Sequence, residues 1–233
     1  MKSYEYYNKI ADLYDSMYDN KEWDIVRKAV KSYIENTISP HNLDVVDIGS
    51  GTGYWAEYFL KLGNNVTIVE PSKNMLEKAK EKLGDNVYYI NSTVEELNVE
   101  EKYDVANLQG DVLSYVENLE KAMKKLSDIL KPGGYLFATV DSFYYMSKLV
   151  FKYGTSKEKE SFLKTHITTV GSQYGLFLSR CFTCEDIKAL EKYGFVLHEI
   201  RGVGYCSDLA SEISLSQNTI YKAEHIYFSL RKR

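Results

Sequence analysis

The chain predicts an α/β fold: a doubly wound, mostly parallel sheet of seven strands, with helices on both faces and a helical insertion as a cap. Three observations predict it. From Asp44 onward, short apolar runs alternate with segments of helical period, as strands covered on both faces do. The first run breaks into glycines on alternate positions, in VVDIGSGTGYW (45–55), as a strand does when it turns into a helix beneath a ligand. Finally, Pro132-Gly133-Gly134 stops a helical stripe and turns the chain into the apolar run YLFATV.

Within residues 1–40, Tyr7, Ile10, Ala11, Tyr14 and Tyr18 recur at helical spacing, and so do Trp23, Val26, Val30, Tyr33 and Ile34. Two amphipathic helices should therefore precede the first strand. The strand runs are VVDI (45–48), VTIVE (66–70), VYYI (87–90), DVANL (104–108) and YLFATV (135–140). Ser72, after Pro71, is placed to cap one intervening helix, and Leu119, Ala122, Met123, Leu126 and Leu130 form the buried stripe of another. Residues 142–180, rich in Tyr, Phe, Lys and Ser, interrupt the alternation and are expected to form the helical cap. Thr183 should cap a helix through about Tyr193, followed by GFVLHEIRGVGY as a sixth strand and HIYFSLRKR as a seventh.

Composition bounds the function. A length of 233 residues suits one domain, 1–233, with a substantial core. The net charge of −4 supplies no basic field for a phosphate backbone, so no nucleic-acid partner is expected. No apolar run reaches the roughly 20 residues of a membrane span, and the first residues lack the apolar centre of a secretory signal. Three cysteines, Cys181, Cys184 and Cys206, are too few for a disulfide framework, in keeping with a cytoplasmic protein, monomer or homodimer. The 21 tyrosines fit either a Tyr-rich core and surface or a tyrosine-lined pocket.

The glycine loop admits a nucleoside-bearing ligand against bare backbone. A dinucleotide fingerprint requires glycine at its sixth position, which counted from Gly49 is Tyr54, so NAD is the weaker reading. Glu70, 19 residues after Gly51 at the end of the second strand, is placed to accept hydrogen bonds from both hydroxyls of a ribose.

Taken together, VVDIGSGTG, VTIVEPSKNML, YDVANLQGDVLSYVEN and LKPGGYLFATV resemble the class I S-adenosylmethionine-dependent methyltransferases, with their Rossmann-like fold. Within that class the chain is most similar to the ubiquinone/menaquinone biosynthesis methyltransferase-related proteins, from YYNKIADLYDSMYD to KAEHIYFSLRKR. The resemblance implies S-adenosylmethionine as cofactor, S-adenosylhomocysteine as product and a small-molecule methyl acceptor, such as a quinone precursor or related aromatic. It places Asp47, Gly49, Gly51 and Gly53 around the methionine part and Glu70, followed by Pro71 and Ser72, at the ribose. Ser92, Thr93 and Val94 fall beside the adenine; many relatives carry an acidic residue where Thr93 stands. Gln109, Gly110 and Asp111 fall beside the sulfonium and the acceptor, and Tyr14 closes over the site.

Methyl transfer from a sulfonium needs alignment and water exclusion, and a general base only if the acceptor loses a proton. His166, in the cap, and Asp111 are the candidate bases. His41 precedes the first strand, whereas His198 and His225 lie in strand patterns and read as structural. Phe143, Tyr144, Tyr145 and Phe151 either line an acceptor pocket or pack the insertion. Cys181-Phe182-Thr183-Cys184, with Cys206 and His198, lacks the paired ligand clusters of a structural zinc site, and no metal is predicted. The Asn/Asp-Pro-Pro-Tyr/Phe signature of enzymes methylating amino groups of bases is replaced by Leu108-Gln109-Gly110-Asp111. The competing readings are an NAD-dependent oxidoreductase and a non-catalytic S-adenosylmethionine-binding protein.

Overall fold

A computed structural model describes residues 1–204 and 217–233. Helices α1 (Ser3–Tyr18) and α2 (Lys21–Thr37) precede β1 (Asp44–Ile48). Next come α3 (Tyr54–Lys61), β2 (Asn65–Val69), α4 (Lys73–Leu83), β3 (Tyr88–Ile90), β4 (Tyr103–Leu108), α5 (Val112–Tyr115), α6 (Leu119–Ile129) and β5 (Leu130–Asp141). The insertion holds α7 (Phe143–Tyr153), α8 (Ser156–Thr165), β6 (Ile167–Ser172) and β7 (Gly175–Arg180). It is followed by α9 (Cys184–Lys188), β8 (Phe195–Val203) and β9 (His225–Lys232).

The main sheet has seven strands in the order β3-β2-β1-β4-β5-β9-β8. Strands β1 to β5 pair in parallel, whereas β9 runs antiparallel to both β5 and β8. The strand order reverses between β1 and β4, and open α/β sheets form their ligand crevice at the carboxyl ends of strands there. Successive residues face opposite sides, as the pleat requires. Val46, Ile48, Leu108 and Phe228 enter one buried cluster with Leu126 of α6, and Val45, Ile68, Phe137 and Tyr227 enter another with Phe59 of α3. Each fully buried Leu, Ile or Phe side chain there contributes about 1.5–3 kcal/mol.

Local chemistry starts the helices. Asn20, Ser72, Asn118 and Thr183 each accept a hydrogen bond from a first-turn amide, so four helices begin where a polar side chain replaces an absent intrahelical partner. Two predicted boundaries move. The helix after Thr183 ends at Lys188 and tightens into a 3-10 turn over Ala189–Tyr193, and Leu130 starts β5 instead of finishing the helical stripe.

The insertion departs further from expectation. Only its first part is helical, and β6 and β7 form an antiparallel hairpin separate from the main sheet. The reason lies in period two: along β7 the side chains alternate, with Phe177 and Ser179 buried and Leu176 and Leu178 exposed. The strands approach so closely that a Cβ on Gly171 would collide with the carbonyl oxygen of Gly175. No helix among the described residues is long and apolar enough to cross a membrane. Tyr205, the predicted end of the sixth strand, lies outside the described residues, as does Cys206.

Candidate functional site

β1 ends in a left-handed turn at Gly49, Gly51 and Gly53, with φ of +64°, +56° and +84°. The three glycines have different reasons. A Cβ on Gly49 would lie 2.5 Å from Cγ2 of Val112, and one on Gly53 would lie 2.9 Å from Cδ1 of Leu83, so both are demanded by the chain's own packing. At Gly51 the nearest atoms belong to the Tyr14 ring, 3.7 Å away, which is ordinary contact. Only Gly49 and Gly51 border the cavity; Gly53 seats the loop on α4.

The carboxylate of Glu70 faces this loop from the end of β2. Its two oxygens accept hydrogen bonds from the amides of Gly51 and Ser72, each at 2.8 Å. Burial pushes the Glu70 carboxyl up to about 7, although both amides favour its charged form. Asp47 is likewise pushed up to about 7 by burial and by the Glu70 charge, against hydrogen bonds from Asn107 and the Ala56 amide. A side-chain chain links β1 to β4: Gln109 donates to Asn107 at 3.1 Å, and Asn107 donates to Asp47 at 2.7 Å. Three buried oxygens around the loop, Asp47 Oδ2, Ser50 Oγ and Gln109 Oε1, have no partner among the described residues. Orphaned buried acceptors are costly unless a ligand with donors meets them.

These groups border or back a cavity of about 980 Å³, at the upper end of the roughly 300–1,000 Å³ of small-molecule sites. Its floor includes Gly49, Gly51, Glu70, Pro71, Gln109 and Gly110, and one wall is Ser92, Thr93 and Val94. Asp47 and Ser72 stand behind the floor: Ser72 caps α4 and binds Glu70, which is what holds that carboxylate in place.

Two elements cover the cavity. Helix α1 is fastened to the start of α4, where Asn8 Oδ1 accepts from Ser72 Oγ (3.1 Å) and the Asn74 amide (2.9 Å). It is also fastened to the hairpin, by Tyr6 and Ser172 hydroxyls at 2.9 Å. This lays Tyr7 and Tyr14 over the cavity, with Tyr115 of α5 and Leu178 and Arg180 of β7 completing the cover. The tyrosines form a continuous layer: Tyr7 meets Tyr14 and Tyr115 at ring-centroid distances of 6.0 and 6.3 Å. Tyr7 and Tyr115 are missed by the sequence reading as site residues, although the tyrosine count is its signal.

The candidate bases are not brought together. His166 closes the C-terminus of α8, and its Nδ1 lies 3.0 Å from Oδ2 of Asp186, beside a separate pocket of about 130 Å³. That placement keeps it off the lining of the large cavity, which β6 and β7 of the insertion reach through Ile167, Leu178 and Arg180. Asp111 sits behind the cavity wall formed by Gly110 and Val112. It is buried beside His225, whose Nδ1 lies 2.9 Å from Asp111 Oδ2 and 3.8 Å from Asp141 Oδ1. Burial opposes a charge on His225, but the two carboxylates outweigh it and raise the imidazole to about 9. His225, read from sequence as structural, thus joins a buried ionic group at the strand ends. Cys181 and Cys184 are free thiols, and burial pushes the Cys181 thiol upward. Phe143 stacks on Phe162 within the insertion at 5.0 Å, a packing role.

A glycine cradle, a carboxylate on the neighbouring strand and orphaned acceptors at a strand-order reversal define a nucleoside-binding α/β protein. Comparison with known proteins narrows this. A methyltransferase-domain family model matches residues 46–138. An uncharacterised Methanocaldococcus jannaschii protein is 30% identical over 199 residues, covering 82% of this chain and 75% of that protein. A malonyl-[acyl-carrier protein] O-methyltransferase of Buchnera aphidicola is 28% identical over 66% of this chain and 64% of its own length. A ubiquinone biosynthesis O-methyltransferase of Nitrobacter winogradskyi is 34% identical over 42% of this chain, which spans only 38% of that relative. An S-adenosylmethionine-dependent methyltransferase structure from Mesorhizobium loti shares the fold with a TM-score of 0.66 at 17% identity, covering 92% of this chain and 99% of that one. Residues 46–138 belong to the methyltransferase-domain family, and the relatives and solved neighbours support a class I S-adenosylmethionine-dependent methyltransferase.

Proposed function

We propose that this protein transfers the methyl group of S-adenosylmethionine to a small aromatic acceptor of the quinol type, held under α1 and the β6–β7 hairpin. The observation that carries this reading is the tyrosine layer, with Tyr14 over Gly51 and Tyr7 and Tyr115 continuing it along the cavity. Aromatic faces favour offset or edge contact with a planar ring. The name of the Nitrobacter winogradskyi relative, a ubiquinone biosynthesis O-methyltransferase, supports the same class of acceptor. When bound, the cofactor supplies an electrophilic methyl carbon on a sulfonium whose positive charge disappears on transfer.

The chain's own groups hold and align. Glu70 accepts from the ribose hydroxyls while its position stays fixed by Gly51 and Ser72. Gln109 Oε1, on the cavity floor and without a partner among the described residues, takes the ammonium of the methionine part, and Asp47 behind the floor orients it through Asn107. Ser92, Thr93 and Val94 flank the adenine, with Pro71 bordering the same cavity. Tyr14, over Gly51, excludes water from the methyl group.

Incubation with methyl-labelled S-adenosylmethionine and a panel of catechols and hydroquinones, read by mass spectrometry, tests the proposal. Labelled methylated ring products are expected. Label appearing only on carboxylates or amines would remove the aromatic acceptor. Tight cofactor binding with no labelled product from any acceptor class would favour a non-catalytic binding protein, and binding of NAD alone would favour an oxidoreductase.

A further inference from the structure

We infer that Asp111, Asp141 and His225 form a binding site for one divalent transition-metal ion at the ends of β4 and β5 and the start of β9. The inference does not rest on the acceptor proposed above. The three residues offer one ligand atom each, all within 4.8 Å of one another. Ligands bonded to one ion at about 2.1 Å lie about 3 Å apart when adjacent and about 4.2 Å apart when opposite. The separations of 2.9 Å and 3.8 Å from His225 Nδ1 to the two carboxylates fall in that range.

Direction supports the same reading. His225 Nδ1 lies 2.9 Å from Asp111 Oδ2 and 3.8 Å from Asp141 Oδ1, so this ring nitrogen stands between the two carboxylates. Oδ1 of Asp111, a residue only 4% exposed, is buried and without a partner among the described residues. Asp141 is oriented from outside: Ser179 Oγ donates to its Oδ2 at 2.5 Å, leaving Oδ1 turned to His225. Hydrogen bonds that fix a ligating carboxylate in this way are a regular part of metal sites.

Charge gives a third argument. Two carboxylates beside a protonated imidazole carry −1, and among the described residues no lysine or arginine pairs with either carboxylate. A divalent cation that displaces the imidazole's proton neutralises the buried group. One imidazole with two carboxylates suits Mn²⁺, Fe²⁺ or Zn²⁺ better than the all-oxygen preference of Mg²⁺ or Ca²⁺. No sequence motif announces the group, since Asp111, Asp141 and His225 are far apart in the chain and meet only because β5 pairs with both β4 and β9.

Chelator-treated protein should be titrated with Mn²⁺, followed by electron paramagnetic resonance, and with Zn²⁺ by calorimetry. One ion per chain is expected. Of the four histidines, Mn²⁺ should broaden the ring resonances of His225 first and most strongly, ahead of those of the nearby His166. Asp141→Asn and His225→Gln should each weaken binding by at least about tenfold. S-adenosylhomocysteine-induced stabilisation retained by these variants would show that they are folded. No saturable binding by the wild-type chain, broadening of another histidine instead, or binding untouched by both substitutions would overturn the site and leave a buried trio in which His225 is itself the cation.

Discussion

Glu70 is fully buried, and its carboxyl is raised from 4.5 to about 7, with Asp47 beside it raised from 3.8 to about 7. The sign follows from linkage. Between the unfolded and folded values the native state holds more protons, so this contribution to stability is full below about pH 4 and is lost as pH rises through 7. Glu70 accounts for up to about 3 kcal/mol over that window and Asp47 for up to about 4 kcal/mol. Urea unfolding of the ligand-free protein should therefore show stability falling between pH 5 and 7.5, with a shallower fall in Glu70→Gln. A donated ribose hydroxyl favours the charged carboxylate. S-adenosylhomocysteine should thus bind with proton release near pH 7, measurable by calorimetry in buffers of different ionisation enthalpy, and Glu70→Gln should abolish most of that release. A flat stability profile with no proton release would show that Glu70 is already ionised in the free protein, and unchanged affinity for S-adenosylhomocysteine in Glu70→Gln would show that it does not receive the ribose.

The β6–β7 hairpin is the element on which the acceptor proposal depends, and its weakest point is Gly171. The residue has φ of +131° and no room for a Cβ. Gly171→Ala should cost about 1–3 kcal/mol, confined to the hairpin. Hydrogen exchange should quicken at β6 and β7 while the amides of β1, β4 and β5 stay protected. Affinity for S-adenosylhomocysteine should change little, because Asn8, Asp12 and Asp15 hold α1 to the α4 region by contacts outside the hairpin. If cofactor binding fell with hairpin protection, the hairpin would belong to the cofactor site and the division between the two covers would be wrong. Helix α1 holds the other cover by side chains, since Asn8, Asp12 and Asp15 reach Ser72, Asn74, Lys78 and Lys82 around α4.

At the scale of the molecule, the cavity joins elements that are otherwise separate: the ends of β1, β2 and β4, helix α1, and the hairpin. A ligand that fills it ties them together. S-adenosylhomocysteine at one hundred times its dissociation constant should add about 2.7 kcal/mol of stability. For a chain of this length that is about 5–10 °C in melting temperature. Scanning calorimetry should show this shift and none with NAD; a shift with NAD alone would reverse the choice of nucleotide. The antiparallel β9 matters equally at this scale, because it carries His225 from the far end of the chain to the strand ends where Asp111 and Asp141 lie.

Local physics made much of this legible before any coordinates. Apolar runs marked the strands of the main sheet, most clearly β1, β2 and β4, which are parallel, buried on both faces and therefore largely apolar. The glycine loop and Glu70 were readable because backbone that approaches a ligand excludes side chains, and because strand length places the carboxylate opposite the loop. What the sequence could not decide was which polar groups meet. His166 and Asp111 share no site, whereas Asp111, Asp141 and His225 do, and that outcome follows from sheet order and register, which bring distant residues within 4.8 Å. The hairpin in the insertion was equally hidden, because a six-residue strand carries too short a period-two signal to outweigh the helical composition around it. Sequence therefore determined the fold and the cradle, which depend on neighbours along the chain; tertiary structure alone decided the buried charge cluster and the cover of the cavity, which depend on neighbours in space.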